Sequence, residues 1–191
     1  MIEWSETHQQ IREMFRRFVD DEIVPKIDAI ELGDTPPYEV LRKMMSTFGA
    51  GDMALSKFNH DLEKEKKRAL SGEPPPEKKK REGFSQEAAD AAAMRAIPTI
   101  EMAKYSPGMI TALGVSIGLT AGAIQRKGTI AQKEKFVPDL LTLKTIGAWA
   151  ITEPGSGSDA FGSMKATARR DGDGYVLNGQ KTFITNGPYA D

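Results

Sequence analysis

The sequence predicts an α+β chain: an N-terminal all-α helical domain over residues 1–144, followed over 145–191 by the first strands of an antiparallel β-barrel domain. Three observations predict it. Apolar residues recur three and four apart in the first segments, the period of a helix with one buried face. After residue 144 the pattern becomes a short apolar run and then strict alternation, the period of strands. Turn residues cluster in that same part, at Asp171-Gly172-Asp173-Gly174 and Asn178-Gly179.

Residues 5–32 read as one helix. Ile11, Phe15, Phe18, Val19 and Ile23 fall on one face, and Pro25 interrupts or kinks it. Asp34 and Thr35 are N-cap types ahead of Pro36-Pro37, which open a second helix lined by Val40, Leu41, Met44, Met45 and Phe48. Gly49 suits its end. The methionines read as core filling. Residues 61–83 break the pattern, with eight basic and six acidic side chains around Pro74-Pro75-Pro76. So little apolar surface predicts a charged, disordered loop, and the interleaved acids argue against "KKKR" as a nucleic-acid patch.

From Ser85 an alanine-rich helix is predicted, then "SPGMITALGVSIGLTAGAI", Ser106 to Ile124. This run is uncharged from Pro107 on and carries Gly114, Gly118 and Gly122 at GxxxG spacing. Its dilution by glycine, serine and threonine favours a helix buried on all sides over a membrane span. Gly128 is a stop signal, and Thr129 with Gln132 forms a capping box for the next helix, towards Pro138 and Leu141. "TIGAWAIT", 145–152, reads as a strand packed on both faces. "MKATARR" alternates, and Asn178-Gly179 signals a hairpin.

The net charge of -1 gives no basic field for nucleic acid or a membrane surface. Without cysteine there is no disulfide, thiolate nucleophile or cysteine-ligated metal. His8 and His60 read as surface residues, and no metal site is expected. The amphipathic start contains Glu3, Glu6 and Glu13, unlike a transit peptide. A soluble intracellular protein, cytoplasmic if bacterial, is expected.

Gly155-Ser156-Gly157-Ser158-Asp159-Ala160 fits the dinucleotide fingerprint G-x-G-x-x-A. That fingerprint needs a helix to present its N-terminus to a pyrophosphate. Here alternating "MKATARR" follows, so the nicotinamide reading fails on context, and no Gly-Lys-Ser/Thr supports a P-loop. Two readings stay open: a polar turn between strands, or an anion-binding nest of backbone N–H groups with Ser156 and Ser158 as further donors. Trp149 and Ile151 share one strand face, and Phe183 and Thr185 another. They suit a planar cofactor carrying a pyrophosphate, FAD better than NAD, or equally an ordinary barrel core.

At "WAITEPGSGSD", Trp149 to Asp159, and "NGQKTFITNG", Asn178 to Gly187, the sequence resembles the acyl-CoA dehydrogenase family of flavoproteins, with "GTIAQKEKFVPDLL", Gly128 to Leu141, as a third motif. The resemblance implies a helical domain, a middle β-barrel and a C-terminal helical bundle absent from these residues. It implies FAD held by Trp149, Ala150, Ile151, Thr152, Gly157, Ser158, Phe183, Ile184 and Thr185, with the Thr152 hydroxyl on the ring, Thr185 near its reactive edge, and Ser158 also touching the acyl-CoA pantetheine arm. It implies oxidation of an acyl-CoA to the 2,3-enoyl-CoA, as in fatty-acid β-oxidation: a glutamate takes the α-proton while hydride leaves the β-carbon for flavin N5. That glutamate is expected beyond residue 191, with Glu153, Asp159 and Asp173 no substitutes and Glu153 structural. Electron-transferring flavoprotein as acceptor and a homotetramer are implied too. The alternatives are an acyl-CoA oxidase, or a non-catalytic subunit completed by a second chain. Two departures stand out: the 61–83 insertion, and "LLTLKT" where the family carries a glycine-containing turn.

Overall fold

The computed structural model describes residues 4–74 and 85–191. Helix α1, Glu6–Phe18, begins at Ser5, whose side chain accepts the His8 N–H. The helical path continues beyond α1 through a π-helical turn, Val19–Ile23, and a 3-10 turn, Val24–Lys26, into α2, Ile27–Glu31. Pro25 sits in the 3-10 turn, where its missing N–H costs nothing, so the chain changes its hydrogen-bond pattern instead of breaking. Gly33, at φ 84, ends this stretch.

Helix α3, Tyr38–Thr47, starts later than expected. Pro37 is its cap residue, its carbonyl accepting the Leu41 N–H at 3.0 Å, and neither Asp34 nor Thr35 caps it. Gly49, at φ 64, turns the chain directly into α4, Ala50–Ser71. Residues 61–71 are therefore helical, which corrects the disordered loop expected over 61–83; residues 75–84 lie outside the described residues. The polar half of α4 is held by ion pairs to α8, Ile130–Leu141. Lys133 meets Glu65 at 2.6 Å, and Lys66 bridges Glu63 at 2.7 Å and Glu134 at 2.8 Å. A single-sequence pattern of charges does not reveal such a partner 68 residues away.

Helix α5, Gln86–Ala103, is capped by Ser85, which accepts the Ala88 N–H. It packs on α1 and brings a buried carboxylate there. Glu101, 1% exposed, accepts from Arg12 at 2.5 Å, from Arg16 at 3.5 Å and from Lys104. Burial pushes its pKa up, but the hydrogen bonds from Lys104 and Arg12 outweigh this and hold it at about 2. His8 lies nearby and is buried, correcting the surface assignment: it shares the inner face of α1 with Phe15 and meets the Trp4 ring edge-on at 6.0 Å. His60 is exposed.

The apolar run forms α6, Pro107–Leu113, a π-helical stretch Gly114–Ala121, and α7, Gly122–Lys127. It is long and apolar enough to cross a membrane by length and composition alone. Met109, Ala112, Val115, Ser116 and Ala121 are buried, whereas Leu119 is 46% exposed and the space beside Gly114 and Gly118 is open. Among the described residues it is thus buried on one face, not on all sides as expected. Gly128 does stop the run, since a Cβ there would stand 2.7 Å from the Ile124 carbonyl oxygen. The capping box is present, with Thr129 Oγ1 accepting the Gln132 N–H and Gln132 Oε1 accepting the Thr129 N–H.

The main core joins Phe15, Phe18, Val19 and Ile23 to Leu41, Met44, Met45, Ile97, Met102, Met109, Leu143 and Ile146. Phe15 stacks on Phe48 at 3.8 Å. A second cluster joins Phe58 and Leu62 of α4 to Ala121, Val137, Leu140 and Leu141. Leu143, in the "LLTLKT" departure, is fully buried at φ 55, a left-handed conformation that disfavours a branched side chain. Arg42 holds it by donating to the Leu143 carbonyl at 2.7 Å.

Two strands, β1 Thr167–Asp171 and β2 Gly174–Asn178, pair antiparallel around Gly172-Asp173. The expected hairpin at Asn178-Gly179 is not formed. Gly179 instead allows a close backbone approach: a Cβ would lie 2.5 Å from that of Ala166. The chain over 146–152 carries no strand ladder; the Ile146 and Gly147 N–H groups go to Asp191 and Ser116, and the Gly147 and Thr152 carbonyls accept from Asn186 and Thr182.

Replacing Glu101 by Gln should destabilise the fold at neutral pH by about 3 kcal/mol, the linkage expected of a carboxyl held near 2. A depressed carboxyl stabilises above its unfolded pKa. The advantage of wild type should therefore fade as pH falls from 4.5 towards about 2, read by denaturant midpoints across that range.

Candidate functional site

The two glycine-bearing motifs meet along one backbone hydrogen bond. Thr182 donates its N–H to the Thr152 carbonyl at 3.0 Å. It joins the segment that ends with Trp149, Ala150, Ile151 and Thr152 to the one that goes on through Phe183, Ile184 and Thr185. Around the bond the side chains divide into anchors and open surface. Phe183 is 91% exposed and Trp149 is 41% exposed, while Ile151, Thr152, Ile184 and Thr185 are half-buried.

Glu153 is the first anchor. It is buried, and its two oxygens accept from Lys165 N–H at 2.7 Å, Ala166 N–H at 2.9 Å and Lys181 Nζ at 2.8 Å. The Lys181 bond, then the two backbone bonds, hold its pKa at about 2. With its lone pairs so occupied, Glu153 is a structural ion and not a base. Lys181 also donates to the Ile151 carbonyl at 2.9 Å.

Asn186 is the second anchor. It is buried, at φ 66, a left-handed conformation that asparagine tolerates better than most residues. Its Nδ2 donates to the Ala112 and Gly147 carbonyls, both at 2.9 Å, and its Oδ1 accepts from Tyr38 Oη at 2.8 Å. Burial pushes the Tyr38 phenol up, aided by Tyr189, whose ring meets it edge-on at 5.4 Å. Tyr38 therefore stays protonated and donates.

The glycine loop turns tightly. Glu153 and Ser156 exchange backbone hydrogen bonds at 2.9 and 3.0 Å. Open space surrounds Gly155 and Gly157, and Ser158 is exposed. Ser156 is buried, and its Oγ has no hydrogen-bond partner among the described residues. After the loop comes a single helical turn, α9, Ala160–Ser163, too short for the helix that a nicotinamide fingerprint uses. Asp159 accepts from the Ser163 hydroxyl, and Asp173 lies in the hairpin turn.

Sequence reading singled out the open surface but missed Lys181, Asn186 and Tyr38, the residues that hold it. Lys181 sits among Gly179, Gln180 and Thr182 and carries no local signal. Asn186-Gly187 is a left-handed dipeptide of the kind that marks turns. Tyr38 has no local signal, as its partner is 148 residues distant.

Residues 5–56 match the family described as acyl-CoA dehydrogenase, N-terminal domain, and residues 148–191 match acyl-CoA dehydrogenase, middle domain. An acyl-CoA dehydrogenase of Bacillus subtilis is 34% identical over 97% of this chain. The chain belongs to the acyl-CoA dehydrogenase family. It spans 42% of that Bacillus subtilis relative's length. A glutaryl-coenzyme A dehydrogenase solved with glutaryl-CoA superimposes with a TM-score of 0.68 at 30% identity, over all of this chain and 42% of that one. An acyl-CoA dehydrogenase from Bacillus anthracis solved with FAD superimposes with a TM-score of 0.65 at 29% identity, over 99% of this chain and 28% of that one. The partial acyl-CoA dehydrogenase fold is thus shared from the first helix through the second motif.

In this member of the family the Asn186 junction yields a graded series. Tyr38→Phe removes one hydrogen bond and should cost about 1 kcal/mol. Asn186→Ala strands two carbonyls and a hydroxyl, and should cost about 2–4 kcal/mol. Asn186→Asp, which sets an acceptor against those carbonyls, should cost more than either in equilibrium denaturation.

Proposed function

We propose that this chain supplies the helical domain, residues 1–144, and the opening of the β domain, residues 145–191, of an FAD-dependent acyl-CoA dehydrogenase. The single observation that carries the reading is the Thr182–Thr152 hydrogen bond, which joins the two motifs. The residues fit FAD in three respects. Phe183 and Trp149 offer exposed flat surface beside a backbone seam, suited to a planar ring. The Thr152 and Thr185 hydroxyls flank that seam. The open backbone at Gly155 and Gly157, next to the Ser158 hydroxyl, leaves N–H groups free for a pyrophosphate.

On this reading Trp149, Ala150, Ile151, Thr152, Phe183, Ile184 and Thr185 line the ring. Gly157 and Ser158 meet the pyrophosphate, and Ser158 also contacts the acyl-CoA arm. FAD, when bound, supplies the acceptor for the hydrogen that leaves the β-carbon of the thioester. The chain's own part is to bind, to orient, and to keep water from one side of the seam. Glu153 stays ionised and tied by three hydrogen bonds, so on this reading the α-proton goes to another carboxylate. We propose electron-transferring flavoprotein as the acceptor and a homotetramer as the assembly, in keeping with the family resemblance.

The test is titration of the purified protein with FAD, followed by anaerobic addition of acyl-CoA thioesters. Quenched flavin fluorescence is expected, with no bleaching of the visible flavin band by the thioester, since residues 1–191 bind and orient but supply no base. Thr152→Val should weaken FAD binding roughly tenfold by removing one hydrogen bond. Ser158→Ala should weaken both FAD and acyl-CoA binding. A protein that neither quenches nor retains flavin would overturn the reading.

A further inference from the structure

Between its two anchors the second motif forms a short arch, 182–185. At one end Lys181 is fixed to Glu153 and to the Ile151 carbonyl. At the other, Asn186 is fixed to α3, α6 and Gly147. Phe183 stands at the crest with φ 53 and 91% exposure. A bulky side chain in the left-handed region is strained, and such strain persists only where the surroundings enforce it. Packing on Phe183 does not enforce it, since the ring touches little. The anchors do.

We propose that Glu153 and Lys181 are positioning residues that set the gap between the two flavin-flanking segments and hold Phe183 in its outward, left-handed conformation. The inference rests on the flavin reading given above. Lys181 Nζ takes one acceptor from each part of the first segment, the Ile151 carbonyl and the Glu153 carboxylate. Glu153 in turn fixes the entry to β1 through the Lys165 and Ala166 N–H groups. One ammonium thereby ties residue 151, residue 153, the start of the hairpin and the arch into one rigid unit. The Thr182–Thr152 bond closes directly beside it. Preorganisation of this kind moves the cost of ordering from binding to folding.

The test compares wild type with Lys181→Met and Lys181→Arg in the FAD-loaded protein. Lys181→Met should weaken FAD binding roughly 10- to 100-fold, the loss of a charge-assisted hydrogen bond. It should also shift the visible flavin band. Lys181→Arg, which still presents donors to both acceptors, should restore most of each. If Lys181→Met lowers the unfolding midpoint but leaves flavin affinity and spectrum as in wild type, the pair is only structural and the proposal is overturned. Should Lys181→Met not fold, Glu153→Gln carries the same comparison, since it keeps the side-chain shape. A cofactor-free measurement separates this idea from the flavin reading. Hydrogen exchange at the Thr182 amide should quicken on the order of tenfold in the variant without FAD. Unchanged exchange overturns the positioning role. Wild type that never retains FAD overturns the flavin reading instead.

Discussion

The structure depends on the buried Asn186 side chain. It bonds one residue from each of three distant stretches: Tyr38 in α3, Ala112 in α6 and Gly147 in the 146–152 segment. The buried Tyr38 hydroxyl and the buried Gly147 carbonyl would each lose a partner without it, so the junction is held by the penalty for opening as much as by the bonds themselves. The backbone at Asn186 is left-handed, and this turns the chain into the short 3-10 turn Gly187–Tyr189. Tyr189 then closes over Tyr38. A helical domain and a β segment are joined here by a directional network, not by apolar area alone.

The helical half meets a different constraint. Glu101 is almost fully buried, and three cations surround it, Arg12 and Arg16 on α1 and Lys104 just past the end of α5. A buried carboxylate with partners missing is far costlier than one with them, so the cluster fixes the register of α5 against α1. Backbone irregularities absorb what regular helices would not. The π-helical turns at Val19–Ile23 and Gly114–Ala121 each pass buried residues, Val19 and Ile23 in one, Val115, Ser116 and Ala121 in the other. The Ser116 hydroxyl reaches out of the second to accept the Gly147 N–H at 3.0 Å.

Local signals were legible in the sequence and non-local ones were not. The Thr129–Gln132 capping box and the Gly128 stop depend on atoms within four residues, and both are present. The charged end of α4 read as disorder because its stabilising partners, Lys133 and Glu134, belong to another helix. His8 read as surface because its neighbours in sequence are polar, whereas its helical face is not. Asn178-Gly179 read as a turn, yet that glycine is needed for contact with Ala166. Residues 145–152 read as a strand, but no ladder forms there, and Ser116, Lys181 and Asn186 bond its backbone through their side chains. The two motifs around the site were visible as motifs. What joins them was not, since Glu153, Lys181 and Asn186 act across tens of residues.

The β1–β2 ribbon has a consequence for handling the protein. Every residue of both strands is exposed, among them Tyr175, Val176 and Leu177. Its outer edges lack ladder partners among the described residues. Two strands alone are marginal in water, and open apolar edges recruit other chains. The ribbon keeps its shape through its own five-pair ladder and not through a core, so local opening begins there while the helical core remains folded.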